Sequence, residues 1–400
     1  MRTAALLAAA IVLVACKVPE SSSSAAASTA ADPLLAARCA QLADRALADN
    51  HAIEILKGLV TAAPKRLSGS PGYNDAVQWG LATMREIGLE NIRAEPCMVP
   101  CWVRGEERAE VVGAGAMPLR VCALGGSIAT PEHGIEAEVI EVRTFEQLQE
   151  LGEKARGKIV FFNRPMPRIL RRTGQAYGEA VPQRSNGAIE AGKVGAIGAI
   201  VRSMTTTIDE YPHTGAMHYD EAVTKVPAAA VATVDAEALS AQLKLGPVRV
   251  HLVLGCQTHP DVPGANVVGE LRGSERPDEV VVIGGHLDAW DLGRGAHDDG
   301  TGIAHVLEAV RLLKACGVRP KRTIRVVLFA NEENGLRGAL AYAETHKDEM
   351  SLHKAAIETD GGGFSPQGFS TSLRDAEAEA VRKLFLPLQD LGAGAFAAGA

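Results

Sequence analysis

The residues of this chain best suited to chemistry lie between positions 284 and 360. Gly284-Gly285-His286-Leu287-Asp288 is followed, ten positions after Asp288, by Asp298 within Gly295-Ala296-His297-Asp298-Asp299-Gly300. Two further acidic points come later, Glu332-Glu333 and Thr359-Asp360. One imidazole and several carboxylates, with no thiolate among them, form a donor set that suits zinc, cobalt or manganese. Carboxylates converging in a partly dry cleft repel one another unless a cation compensates them. Two divalent ions, about 3.5–4 Å apart, need a bridging carboxylate, and Asp298 is placed to supply it. Glu332 and Glu333 are adjacent at a strand-to-loop transition, so one can bind metal while its neighbour handles a proton.

Each of these points falls at the end of an expected element. The run VVVI at 280–283 is wholly apolar, as a strand buried on both faces requires. TIRVVLFAN at 323–331 and the segment 355–358 read as further strands, and GIAHVLEAVRLLKA at 302–315 has helical period. Strand–helix–strand order predicts a mainly parallel α/β sheet, with its ligand crevice at the carboxyl ends of the strands. The acids and the histidine sit at those ends. Upstream, 33–60 and 73–87 read as helices, separated by the loop KRLSGSPG at 65–72, with Gly88 as a C-cap. From about 125 to 255 short strands (138–142, 158–162) alternate with helices (145–154, 187–192), and no two metal ligands have compatible spacing. That portion is expected to shape the substrate site or form a lid, with His213 and Tyr219 structural.

Composition narrows the class. Of 400 residues 46% are hydrophobic and 22% charged, which excludes global disorder and allows two domains. The net charge of −7, from 41 basic and 48 acidic residues, offers no basic field to a phosphate backbone, so no nucleic-acid partner is expected. Met1-Arg2-Thr3 precedes the apolar run AALLAAAIVLVA, too short for a bilayer span but suited to an export signal. The run ends at Leu13-Val14-Ala15-Cys16, which resembles a bacterial lipoprotein box with Cys16 acylated. A Ser/Ala-rich tether follows. The expectation is an exported, periplasm-facing or cell-envelope lipoprotein, otherwise a secreted protein, touching membrane only through its lipid. The remaining six cysteines are an even number compatible with disulfides.

The segments GGHLDAWDLGRGAHDDGTG, FANEENGLRG and ETDGG resemble the M28 family of zinc peptidases. RLSGSPG, CWVRGEE and RPKRTIRVVLFANEE are similar to its plasma glutamate carboxypeptidase subgroup and the bacterial lipoprotein homologues of that subgroup. The resemblance implies an α/β/α sandwich with a mostly parallel sheet, interrupted by a protease-associated-like insert. The implied layout is a signal peptide at 1–15, a tether at 16–32, peptidase segments at 33–124 and 257–400, and the insert at 125–256. It further implies two zinc ions per active site, with His286 and Asp360 on one ion, Asp298 as the bridge and Glu333 completing the metal set. Glu332 is then the general base, and Asp288 the carboxylate that orients the imidazole of His286.

The implied activity is aminopeptidase action on peptides, with dipeptidase or carboxypeptidase-like hydrolysis as the alternative; a homodimer is left open. Asp299 is expected to be structural, His297 and His305 are expected not to be ligands, and His346 and His353 are expected at the surface. The family pattern also asks for a late histidine ligand, and none follows Asp360. The chain is therefore expected to be truncated at its C-terminus. A non-catalytic, receptor-like metal-binding protein is the alternative if residue 400 is its natural end.

Overall fold

The computed structural model describes residues 33–168, 173–360, 363–365 and 367–399. The expected export signal, tether and Cys16 lie outside the described residues. The chain divides into two compact units, one up to Val99 and from Val262 onward, the other Pro100–Asp261. The interrupting unit is thus wider than the expected 125–256. Strand Glu107–Val112 causes the difference, since it pairs with Arg249–Leu254 in the sheet of that unit.

That second unit holds an eight-stranded sheet. Its strands Ile135–Val142, Ile159–Phe162, Gly198–Arg202 and Ala228–Val231 lie parallel in that order. The last three are buried along their whole length, which accounts for their unbroken apolar runs. Tyr219 is structural here. Its hydroxyl donates to the Val226 carbonyl at 2.7 Å and accepts from the Ile128 N–H at 3.1 Å.

The first unit is built on five strands in the order Glu90–Val103, Gln257–Leu271, Arg322–Phe329, Arg276–His286, His353–Glu358. Arg276–His286 runs parallel to both of its neighbours. Gln257–Leu271 is antiparallel to Arg322–Phe329, so the sheet is mixed rather than mostly parallel. The reason is connection length. Only four residues, 272–275, separate Gln257–Leu271 from Arg276–His286, and a parallel return needs a crossover of about a dozen.

Adjacent strand residues face opposite sides of a sheet, and neighbouring apolar residues here feed two cores. Val267, Val326 and Leu328 pack with helices Ala52–Ala62, Pro71–Ile87 and Gly300–Ala315 on one face. Val268, Val280, Val282 and Val327 pack on the other, with Tyr342 of helix Arg337–Thr345. Helix Pro71–Ile87 starts as its sequence dictates, with the Ser70 hydroxyl accepting from the Tyr73 N–H, and ends at left-handed Gly88. The single helix expected over 33–60 is two, Pro33–Ala48 and Ala52–Ala62. The Asn50 side chain accepts from the Ala52 N–H, and the His51 N–H is drawn to Glu308.

His346 and His353 are buried, not at the surface, because charge compensates them inside. Arg325 donates to Glu270 at 2.8 Å, to Glu349 at 2.9 Å and to the Tyr342 hydroxyl at 3.1 Å. His346 lies between Glu349 and Glu95, and the Tyr342 hydroxyl meets His353 Nε2 at 2.8 Å. A buried polar group is tolerated when its partners are in place.

Candidate metal centre

Parallel pairing aligns three strand ends at one edge. In register, His286 stands beside Phe329, and Gly284 beside Glu358. Glu332-Glu333 follow Phe329 by three and four positions, and Asp360 follows Glu358 by two. The sheet alone therefore brings them to the same edge as His286.

His286 is wholly buried. Its Nδ1–H donates to the main-chain carbonyl of Asp288 at 3.0 Å, which directs the lone pair of Nε2 outward. Nε2 lies 3.1 Å from Asp298 Oδ1, 3.4 Å from Asp360 Oδ1 and 3.9 Å from Glu332 Oε2. None of these is an aligned hydrogen bond, and Nε2 is a buried polar atom without a partner. His286, Asp298 and Asp360 each offer an atom within 4.8 Å of the others, as ligands around one cation would. The residues thus fit a divalent ion in both donor chemistry and an orphaned nitrogen. Glu333 is not in this trio.

The electrostatics are those of a site built around positive charge. Burial works against a charged His286, yet Asp298 and Asp360, with Asp288 and Asp299 behind them, push the imidazole up to about 12. Burial pushes Glu333 up to about 9, helped by the charges of Asp298 and Asp288. Burial, together with Asp360, Asp288 and Asp298, pushes Glu332 up to about 7, despite the opposing effect of His286. With no cation, protons do the compensating.

Two neighbours hold the donors in place. Asp299, not Asp298, caps helix Gly300–Ala315, accepting from the Gly302 N–H at 2.9 Å and from the His286 N–H at 3.1 Å. Asp298 is thereby left free, with 62% of its side chain exposed beside His286. Close approach here demands glycine: a Cβ on Gly302 would come within 2.0 Å of the Thr359 carbonyl. The Asp288 carboxylate lies 3.8 Å from His286 Nδ1, within ion-pair range of the imidazole, but the aligned hydrogen bond is made elsewhere. The carbonyl of Asp288, rather than its carboxylate, hydrogen-bonds the imidazole, while Oδ1 and Oδ2 accept from the Glu332 and Glu333 N–H groups at 3.0 and 3.3 Å. Truncation at Asp288 is expected to lower kcat/KM about 10–100-fold by releasing the two glutamates. Steady-state kinetics on folded Asp288→Ala check this, and unchanged rates would sink that role.

The profile of Peptidase family M28 matches residues 266–392. Human carboxypeptidase Q is 40% identical over 345 residues, covering 85% of this chain and 71% of the human protein. The chain belongs to peptidase family M28. An M28 peptidase precursor from Shewanella amazonensis SB2B has a TM-score of 0.88 at 36% identity, across 92% of this M28 chain and 83% of the other. A zinc aminopeptidase from Bacillus subtilis shares the fold, with a TM-score of 0.61 at 18% identity, across 87% and 79% of the two chains. As an M28 member, the chain is a metallopeptidase.

Sequence reading missed two contributors to this M28 site. One is Asp299 as a double acceptor, whose only signal was its place before a helix. The other is Arg66, which stands in the quoted RLSGSPG stretch but whose partners gave no signal, since what it touches lies more than 200 positions away.

Proposed function

We propose that the chain is a zinc-dependent aminopeptidase, with Glu332 as general base and His286, Asp298, Glu333 and Asp360 holding the metal. The observation that carries this is the convergence of Asp298, Asp360 and Glu332 on the orphaned Nε2 of His286. When bound, a divalent cation supplies Lewis acidity and a lowered pKa for water. Glu332 accepts the proton of the attacking water at its carboxylate and returns it to the leaving amine. A base poised near neutrality does this best, and burial with neighbouring acids moves Glu332 that way. Exposed carboxylate surface on Asp298, Glu332 and Asp360 suits a substrate ammonium group, which favours the free N-terminus.

The similarity to carboxypeptidase Q favours a second reading, hydrolysis of dipeptides or at a C-terminal residue. A panel of free, N-acetylated and C-amidated peptides, with and without chelator, separates the two. Aminopeptidase action predicts cleavage lost on acetylation, kept on amidation and abolished by chelator. Loss on amidation alone overturns it in favour of carboxypeptidase action, and cleavage confined to dipeptides favours dipeptidase action. The proposal includes export with Cys16 acylated, supported by the apolar run that ends at Leu13-Val14-Ala15-Cys16. It also includes a protease-associated-like character for the second unit.

A further inference from the structure

Arg66 lies in the loop between helices Ala52–Ala62 and Pro71–Ile87, with none of its surface exposed. Burying a guanidinium is unfavourable unless its donors are filled. All of its hydrogen bonds go to main-chain carbonyls. Nε donates to Leu287 at 2.6 Å, Nη1 to Arg294 at 2.7 Å and Nη2 to Gly295 at 2.6 Å. In return, the Ala289 N–H donates to the Arg66 carbonyl at 3.3 Å.

These acceptors share one stretch of chain, the loop that leaves His286 and arrives at Asp298. Leu287 adjoins His286. The Gly295 carbonyl also accepts from the Gly300 N–H at 3.1 Å, tying it to the start of the helix that Asp299 caps. The loop is closed tightly around the guanidinium. Gly295 has a φ of +56°, and a Cβ there would stand 2.6 Å from Nη1 and 2.3 Å from the Ala289 side chain. The positive charge also lies near enough to Asp288, Asp299, Glu333 and Asp298 to interact with each. It therefore offsets part of the repulsion in the acid cluster without occupying a donor position.

We infer that Arg66 is a positioning residue, which sets the His286–Asp298 spacing by clamping three carbonyls of the intervening loop and so governs the affinity and geometry of the cation site. This rests on the reading above that the site binds a divalent cation. A planar fork with fixed donor directions can span Leu287 and Gly295 together; an ammonium keeps the charge but not the span. Lysine is therefore expected to fall well short of arginine here even though it keeps the charge.

The test uses the full chain as wild type, Arg66→Lys and Arg66→Gln. Zinc affinity is measured by competition with a chelator, the visible absorption of bound Co2+ reports ligand geometry, and circular dichroism of the metal-free proteins reports the fold. Both variants are expected to keep the far-ultraviolet spectrum, to lose about 10–100-fold in zinc affinity and to show an altered cobalt band. Wild-type affinity and cobalt spectrum in Arg66→Lys overturn the inference. So does an unfolded metal-free variant, which assigns Arg66 to the fold instead. If the wild type takes up neither metal, the reading of the site itself fails, and the variants are not what failed.

Discussion

Glu332→Gln is expected to keep the metal and the fold while lowering kcat about 10³-fold, in the middle of the range for losing a general base. Glutamine matches glutamate in size, and the main-chain N–H at position 332 keeps its bond to Asp288. What disappears is an oxygen able to take a proton from water. The geometry separates this from a ligand role, because Glu332 stands 3.9 Å from His286 Nε2, farther out than Asp298 and Asp360. Metal content measured beside single-turnover rates decides the matter. Normal hydrolysis by the variant would remove Glu332 from the mechanism, and loss of metal together with activity would make it a ligand.

Stripping the cation is expected to make stability fall as pH rises. Folding raises Asp299 to about 8, chiefly through burial, and Glu333 to about 9. Unfolded, both would ionise near pH 4. Between those limits the folded chain holds more protons than the unfolded one, so its stability declines with rising pH. His286 acts in the same direction. Raised from 6.5 to about 12, it contributes stability that is fully present below pH 6.5 and is lost as pH climbs toward its folded value.

The melting midpoint of chelator-treated protein should therefore drop by several degrees between pH 5.5 and 8.5. Zinc reverses the trend, because it takes over compensation of the acids and binds His286 in its neutral form. At about a thousand times its Kd, zinc contributes about 4 kcal/mol. Calorimetric scans across pH, with and without zinc, make the comparison. A flat or rising midpoint in the metal-free protein would contradict the charge distribution described for this site.

The parts of the fold legible beforehand are those where local pattern and final environment agree. VVVI at 280–283 and TIRVVLFAN at 323–331 are apolar because both faces of the sheet are covered, and buried strands announce themselves that way. Strand Gln257–Leu271 was not legible. Its first half, QTHPDVPG, carries two prolines and a glycine, lies mostly exposed and reads as loop. Missing it hid the antiparallel pairing that makes the sheet mixed. His346 and His353 were misplaced for a related reason. Polar neighbours in sequence suggest solvent, whereas the partners that bury His346 include Glu95, some 250 positions away.

By itself, the sequence pointed to a set of residues suited to the chemistry, and the structure brings His286, Asp298, Asp360 and Glu332 together. Side-chain type limits which donors suit a divalent ion, and parallel strands deliver their carboxyl ends to one edge. Tertiary structure decided how those donors are held. The split between Asp298 and Asp299, one facing the imidazole and the other capping a helix, depends on where that helix starts relative to the His286 strand. The carbonyl that orients His286 belongs to every residue type and leaves no mark in the sequence. The clamp of Arg66 on Leu287, Arg294 and Gly295 is equally silent, because main-chain acceptors become partners only once the chain has closed around them.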